Sequence, residues 1–538
     1  MMSRMRVRQI AVSLVAAGAT LGLAVPGGFA QMPAKTPPLV IGVEAAGPTF
    51  TANFNPFAGQ RDGRLYIYEP LAIVNPYSGK ETPWLGTAWH FANSKELVVT
   101  VRKGVKWSDG VPFTARDVAF TFKLMQTFPA LDGSGLWNVL ASVQAQGDQV
   151  IFRYKTPAVQ TAVQILQVPI VPQHIWAKVK NPVTWPDTRP VGTGPYVLKS
   201  FTPYQYILAR NPNYWQASKV KVPELVFPAG EPNQVAQLKL VSGQWQWATL
   251  FLPNVKQLWV KGNPYHQYWF PGGAPVALEL NLKKPPFNNP RFREAVAYAI
   301  NREAIVAKAE FGYVPPASQA LLTLPAQKAY LDPAIPNHGY IPYAPAKARA
   351  ILKASGFKWN GQGKLLTPSG SPVAFSIQIP SGWTDWIQTS DMIATDLGKL
   401  GMDVTVQTPQ YGAYTQDQTN GSFTGVLAGA GGQPAPYWSF YYLLNPANTF
   451  GFKNARVNAL LQNWNSTTSP VMQKRDAYAL EQVMMNDFPI IPLFYGANWA
   501  EYNTQAYVGW PTAKNPYASG APYLPDVLLI ATHLRPRS

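Results

Sequence analysis

Between Val276 and Lys308 the chain switches hydrophobic period within one stretch, VALELNLKKPPFNNPRFREAVAYAINREAIVAK. Val276, Leu278, Leu280 and Leu282 alternate with Ala277, Glu279 and Asn281, the period-two pattern of a strand. After a turn at Pro285 and Pro286, Asn289 can cap a helix and Pro290 suits its first position. Phe292, Ala295, Val296, Ala299 and Ile300 then recur at helical spacing. The pattern predicts a strand that leaves one sheet and feeds directly into a helix.

The same reading extends along the chain. Leu39 to Val43 and Val98 to Val101 are β-branched or apolar runs that predict strands, and Asp109-Gly110 predicts a tight turn. Thr114 followed by Asp117 is a helix start. Tyr343 to Phe357 predicts a helix with Pro345 at its start and Gly356 as its stop, and Ile393 to Leu400 gives a further apolar helix face before a strand at Val404 to Val406.

With 538 residues the chain is too long for one hydrophobic core. Arg4, Arg6 and Arg8 precede an apolar run from Ile10 to Val25, and small residues flank Gly28 to Ala30, so residues 1–30 read as a secretory signal. No other segment is apolar enough to span a bilayer. The lack of cysteine excludes disulfides, thiolate metal sites and a lipidated cysteine. The formal charge of +18 reflects scarce acids as much as abundant bases, and the lysines and arginines are scattered rather than clustered, which argues against nucleic acid.

LVVTVRKGVKWSDGVPFTARDVAFTFKLM, from Leu97 to Met125, resembles the signature of family 5 extracytoplasmic solute-binding proteins of ABC importers through Arg102, Gly104, Trp107, Ser108, Asp109, Gly110, Thr114, Ala115, Asp117 and Val118. Asn281, Lys284 to Phe287, Arg291, Arg293, Ala295, Ala299, Ile300 and Arg302 resemble the same family, as do GTGPYVL from Gly192, RNPNYW from Arg210 and SGQWQWA from Ser242. The resemblance implies a periplasmic-binding-protein type II-like α/β fold with two main lobes, a hinge and an inserted third domain. It implies lobe I from residues 31–70, 190–280 and 505–538, the inserted domain at 71–189 and lobe II at 281–504. The hinge is expected at Glu279, Leu280, Asn281 and Leu282, and near Tyr495 to Thr504. An exported monomer, periplasmic or associated with the cell surface and partnered by an importer permease, is what such a chain would be.

Peptide-binding members commonly pair an aspartate with the ligand's ammonium. Counted forward from Phe423, Gln433 stands at that position, Ala430 at a tryptophan position and Leu427 where one group carries arginine. A buried ammonium without a carboxylate partner costs several kcal/mol, roughly, after relaxation. Oligosaccharide binders use amides and flat rings instead, so oligosaccharide is favoured over oligopeptide. The expected ligand contacts are Asn55, Trp245, Trp247, Trp383, Tyr411, Tyr414, Gln433, Tyr437, Trp438, Phe440 and Tyr441, although aromatic side chains also build cores.

Enzyme chemistry finds little footing. The five histidines form no metal-binding spacing, and neither a GxSxG elbow nor a Walker-type loop is present. Asp109, Glu279 and Asp385 leave a glycosidase or peptidase as a remote alternative. A binding protein with no cofactor and no metal is the expectation.

Overall fold

The computed structural model describes residues 36–43, 49–58, 63–324, 327–431 and 435–537. The expected signal at 1–30 and Gln433 lie outside them. Three principal sheets organise the chain. A seven-stranded sheet runs in the order His266–Tyr268, Glu501–Asn503, Trp247–Thr249, Leu39–Val43, Glu224–Pro228, Gln205–Arg210, Tyr196–Thr202. Leu39–Val43 is parallel to both of its neighbours, and Leu39 and Ile41 are buried. A five-stranded sheet follows the order Asp403–Gln407, Ala374–Gln378, Gly425–Gly429, Gly272–Leu280, Ile491–Ala497. Four antiparallel strands between Gly86 and Tyr154 form the third.

The helix Pro290–Ala299 begins where the punctuation placed it: the Asn289 side chain accepts from Arg291 N–H at 2.9 Å, and Phe292, Ala295, Val296 and Ala299 are buried. Two arginines on this stretch are also buried. Arg293 donates to the carbonyls of Phe488 and Phe287, each at 2.7 Å, and Arg302 donates to those of Pro492 at 2.7 Å and Ala297 at 2.8 Å. A buried cation is tolerated when its donors are satisfied. Here the acceptors include Phe488, just before strand Ile491–Ala497, and Pro492 within it, so both arginines fasten the helical layer to the sheet, although Arg302 Nη2 is left buried without a partner.

The strand at 276–282 differs from expectation in one respect. Gly272–Leu280 pairs on one edge with Gly425–Gly429 and on the other with Ile491–Ala497. Asn281 is buried, donating through Nδ2 to the carbonyls of Gly421 at 3.0 Å and Phe423 at 2.9 Å. Glu279 and Leu280 therefore sit inside the five-stranded sheet, Asn281 and Leu282 follow directly at its end, and none of the four carries a crossing between sheets. The chain passes from one sheet to the other at residues 269–271 and again at 498–500, where Trp269 N–H donates to Ala500 and Asn498 N–H to Pro271, both at 2.9 Å. Consequently residues 272–280 belong with the second sheet rather than with lobe I, and 501–503 belong with the first rather than with lobe II.

Glu69 is fully buried and accepts from the indoles of Trp84 at 2.5 Å and Trp215 at 3.3 Å. Burial nevertheless pushes its carboxyl from an ordinary 4.5 up to about 7. Burial likewise raises Asp187 and Asp526 to about 6. A carboxyl raised in the folded state stabilises the fold below its unfolded value, and that stability is lost as pH rises through the folded value. For Glu69 alone the loss is about 3 kcal/mol, spread between pH about 4.5 and about 7. The melting temperature is expected to fall as pH rises across this window, with a shallower slope in Glu69→Gln; differential scanning calorimetry at stepped pH reads both.

Candidate functional site

Strands Ala374–Gln378, Asp403–Gln407 and Gly425–Gly429 are parallel and therefore end at one edge of their sheet. Ligands of open α/β sheets lie outside such carboxyl ends. Past them begin the helices Thr384–Gly398, Tyr411–Asn420 and Pro436–Leu444. Trp383 and Tyr411 come together here with ring centroids 5.9 Å apart, and Trp386 meets Trp383 edge-on at 4.9 Å. Tyr411 is 59% exposed, whereas Tyr414 is buried with its hydroxyl on the Leu427 carbonyl at 2.5 Å. Of the expected contacts in this region, Trp383 and Tyr411 present ring surface and Tyr414 does not.

A cavity of about 490 Å³ lies between segments that are distant in sequence. Phe57, Arg64 and Tyr68 form part of its wall, Leu131, Leu136, Gln164 and Gln167 another, and Tyr442, Pro525 and Leu528 complete it. Arg64 is buried and donates through Nη1 to the carbonyls of Asn55 and Ala58, each at 2.7 Å. Tyr68 hydrogen-bonds Asp187 behind the wall, and Gln164 Nε2 donates to the Tyr442 hydroxyl at 2.8 Å. The described lining residues include no carboxylate. They offer apolar and aromatic faces, two primary amides, two phenols and one guanidinium, a set suited to hydroxyl-bearing or otherwise neutral ligands.

Most of the ligand contacts expected from sequence are elsewhere. Asn55 is 1% exposed, giving its amide hydrogens to Pro182 at 2.8 Å and Trp185 at 2.9 Å and accepting from Phe57 N–H at 2.9 Å; it holds the loop that carries Phe57. Trp245 lies flat over Gly42, where a Cβ would come within 2.0 Å of the indole, so this glycine is there to let the ring in. Trp247 is buried against Trp510 with its indole N–H on the Gly520 carbonyl at 2.8 Å. Tyr437 and Phe440 pack on Trp464 in the core, Trp438 donates to the Gln160 carbonyl at 2.8 Å, and Tyr441 is partly exposed beside Tyr437. None of these lines the cavity.

The residue of that helix which does line it is Tyr442, which the sequence reading passed over. The signal was available, since Tyr442 follows Trp438 by four positions and shares its helix face. Phe57, two positions after Asn55, is equally within reach. Gln164, Gln167 and Arg64 stand in no motif and carried no signal.

The carboxylates of the enzyme alternative are dispersed. Asp109 faces His174 at 2.7 Å, Glu279 is on strand Gly272–Leu280, and Asp385 lies beside Glu310, where burial and mutual proximity push Glu310 upward. Among the described residues no group of three or more His, Asp or Glu side chains is placed to hold a metal, and no helix is long and apolar enough to cross a membrane.

Comparison with known proteins adds four findings. The sequence profile of the bacterial extracellular solute-binding proteins, family 5, middle region, matches residues 80–451. The chain is 27% identical over 389 residues to the nickel-binding periplasmic protein of Escherichia coli (strain K12), covering 68% of this chain and 70% of that protein. It is 25% identical over 430 residues to a putative ABC transporter peptide-binding protein of Brucella ovis, covering 76% and 77%. A periplasmic oligopeptide-binding protein of Thermotoga maritima, solved with mannohexaose bound, superposes with a TM-score of 0.83 at 29% identity, over 94% of this chain and 100% of that one.

The buried amide of Asn55 and the exposed ring of Tyr411 separate structural from surface roles. Asn55→Ala is expected to cost about 1–3 kcal/mol in urea unfolding, because it strands buried carbonyls. Tyr411→Ala is expected to stay within about 0.5 kcal/mol of the parent.

Proposed function

The chain belongs to the family 5 bacterial extracellular solute-binding proteins, non-catalytic receptors that serve ABC importers, and we propose that its solute is a neutral oligosaccharide. The observation that carries this reading is the cavity wall: rings and amides with no carboxylate to meet a peptide's ammonium. Leaving that charge buried and unpaired would cost several kcal/mol, roughly, whereas sugar hydroxyls are matched by Gln164, Gln167 and Tyr442 and sugar faces by Phe57. The Thermotoga maritima structure supports the same direction, since a protein described as oligopeptide-binding was solved with mannohexaose bound. In this reading the protein acts as an exported monomer, in the periplasm or at the cell surface. The two lobes turn about the paired crossings at 269–271 and 498–500, and Trp383 and Tyr411 offer a second stacking surface at the strand ends.

An oligopeptide is the second reading. Arg64 favours it, because a guanidinium on the wall is the partner a C-terminal carboxylate would take. The peptide-binding description of the Brucella relative points the same way.

A thermal-shift screen of the mature protein against β-linked gluco- and manno-oligosaccharides and mixed-sequence peptides separates the two. A ligand at 100 times its Kd adds about 2.7 kcal/mol of stability. Sugars are expected to raise the melting temperature, with Phe57→Ala and Gln167→Ala each weakening binding about tenfold by calorimetry. A shift with peptides alone would overturn the oligosaccharide assignment.

A further inference from the structure

The walls of the cavity are fastened to each other directly. Gln160 lies on the short segment that follows strand Gln149–Tyr154 of the four-stranded sheet. Its N–H donates to Asn465 Oδ1 at 3.0 Å, and its carbonyl accepts from Trp438 Nε1 at 2.8 Å. Four residues on, Gln164 donates to the Tyr442 hydroxyl at 2.8 Å. Between them Val163 is buried in the same apolar cluster as Val276, Leu278 and Leu280 of the five-stranded sheet. Trp438 and Tyr442 belong to helix Pro436–Leu444, and Asn465 to helix Ala455–Ser466. Three hydrogen bonds and one apolar plug therefore join the segment carrying the four-stranded sheet to the helices packed on the five-stranded one, and Gln164 and Tyr442 both line the cavity.

Every one of these contacts is between protein groups. We infer that Gln160, Val163 and Gln164, with Trp438, Tyr442 and Asn465, form a latch that holds the two halves together over the cavity before any solute is present. Trp438 and Asn465 act as positioning residues: neither lines the cavity, and both set how often it opens. A solute gains affinity only from its preference for one state over the other, so a latch that favours the closed state in the empty protein limits how fast solute is admitted. Removing it speeds association more than it changes the contacts made once the solute is inside.

The inference rests on the two-lobed receptor reading but not on the solute's identity, and it is read without solute. Because the chain has no cysteine, Tyr204→Cys and Val471→Cys, at positions 71% and 78% exposed, give two unique labelling sites in the full mature chain. Single-molecule energy transfer is then compared for the parent and for Trp438→Phe with Asn465→Ala, which removes the indole N–H and the amide acceptor while keeping a ring in place. The ratio of open to closed molecules is expected to rise at least about fivefold, and Asn465→Asp, which retains an acceptor for Gln160 N–H, is expected to recover most of the closed population. A distance distribution identical to the parent's, in a variant whose circular dichroism shows it folded, would overturn the latch. If the double variant does not fold, Asn465→Ala and Tyr442→Phe taken singly carry the same expectation and the same refutation. A wrong solute class would leave this result untouched and would appear only in the ligand screen.

Discussion

Two adjacent passages of backbone, 269–271 and 498–500, hold the molecule's two main sheets in one structure. They are bonded to each other by Trp269 N–H to Ala500 and Asn498 N–H to Pro271, so neither can swing without the other. Aromatic packing braces the same place: Phe270 meets Trp499 at 4.8 Å and Tyr313 at 5.3 Å. The Tyr313 hydroxyl accepts from Val255 N–H at 2.7 Å and donates to the Leu252 carbonyl at 3.2 Å. In the proposed receptor these side-by-side crossings are the pivot about which the two halves turn to admit and enclose a solute. At the far side of the cavity the contacts of Gln160 and Gln164 oppose that rotation, so pivot and closure are built from different parts of the chain.

Much of the architecture could be read from residue pattern because burial and period are local properties. Alternation marked the strand at 276–282, and Asn289-Pro290 marked the helix after it. What alternation cannot say is which sheet a strand joins. Glu279 to Leu282 looked like an exit because a helix follows, yet the strand is paired on both edges by segments some 150 to 220 positions further along, by roughly the reach that only tertiary pairing can reveal. Aromatic residues failed for a related reason. Trp247 over the core and Tyr411 at the surface have similar neighbours in sequence, and only folded contacts distinguish a ring that packs from one that waits for a ligand.

Charge is arranged with the same separation of duties. Arg293 and Arg302 are spent on backbone carbonyls, and Glu69 on indole N–H groups, and none of the three lines the cavity. Arg64 is the charged group left on its wall, and two of its hydrogen bonds hold the 55–58 loop in place. In the proposed binding cavity the wall thus carries one guanidinium and no carboxylate, a composition that favours recognition by shape, stacking and directed hydrogen bonds.

The pairing of Gly272–Leu280 with Ile491–Ala497 also fixes an order of events in the making of the protein. A ribosome delivers Gly272–Leu280 long before its outer neighbour exists, and Glu501–Asn503, needed by the other sheet, arrives later still. Neither sheet can be completed until almost the whole chain has been synthesised, so stable folding is deferred to the end of translation. For the exported receptor proposed above, that delay is useful: neither large sheet closes while its C-terminal strands are missing.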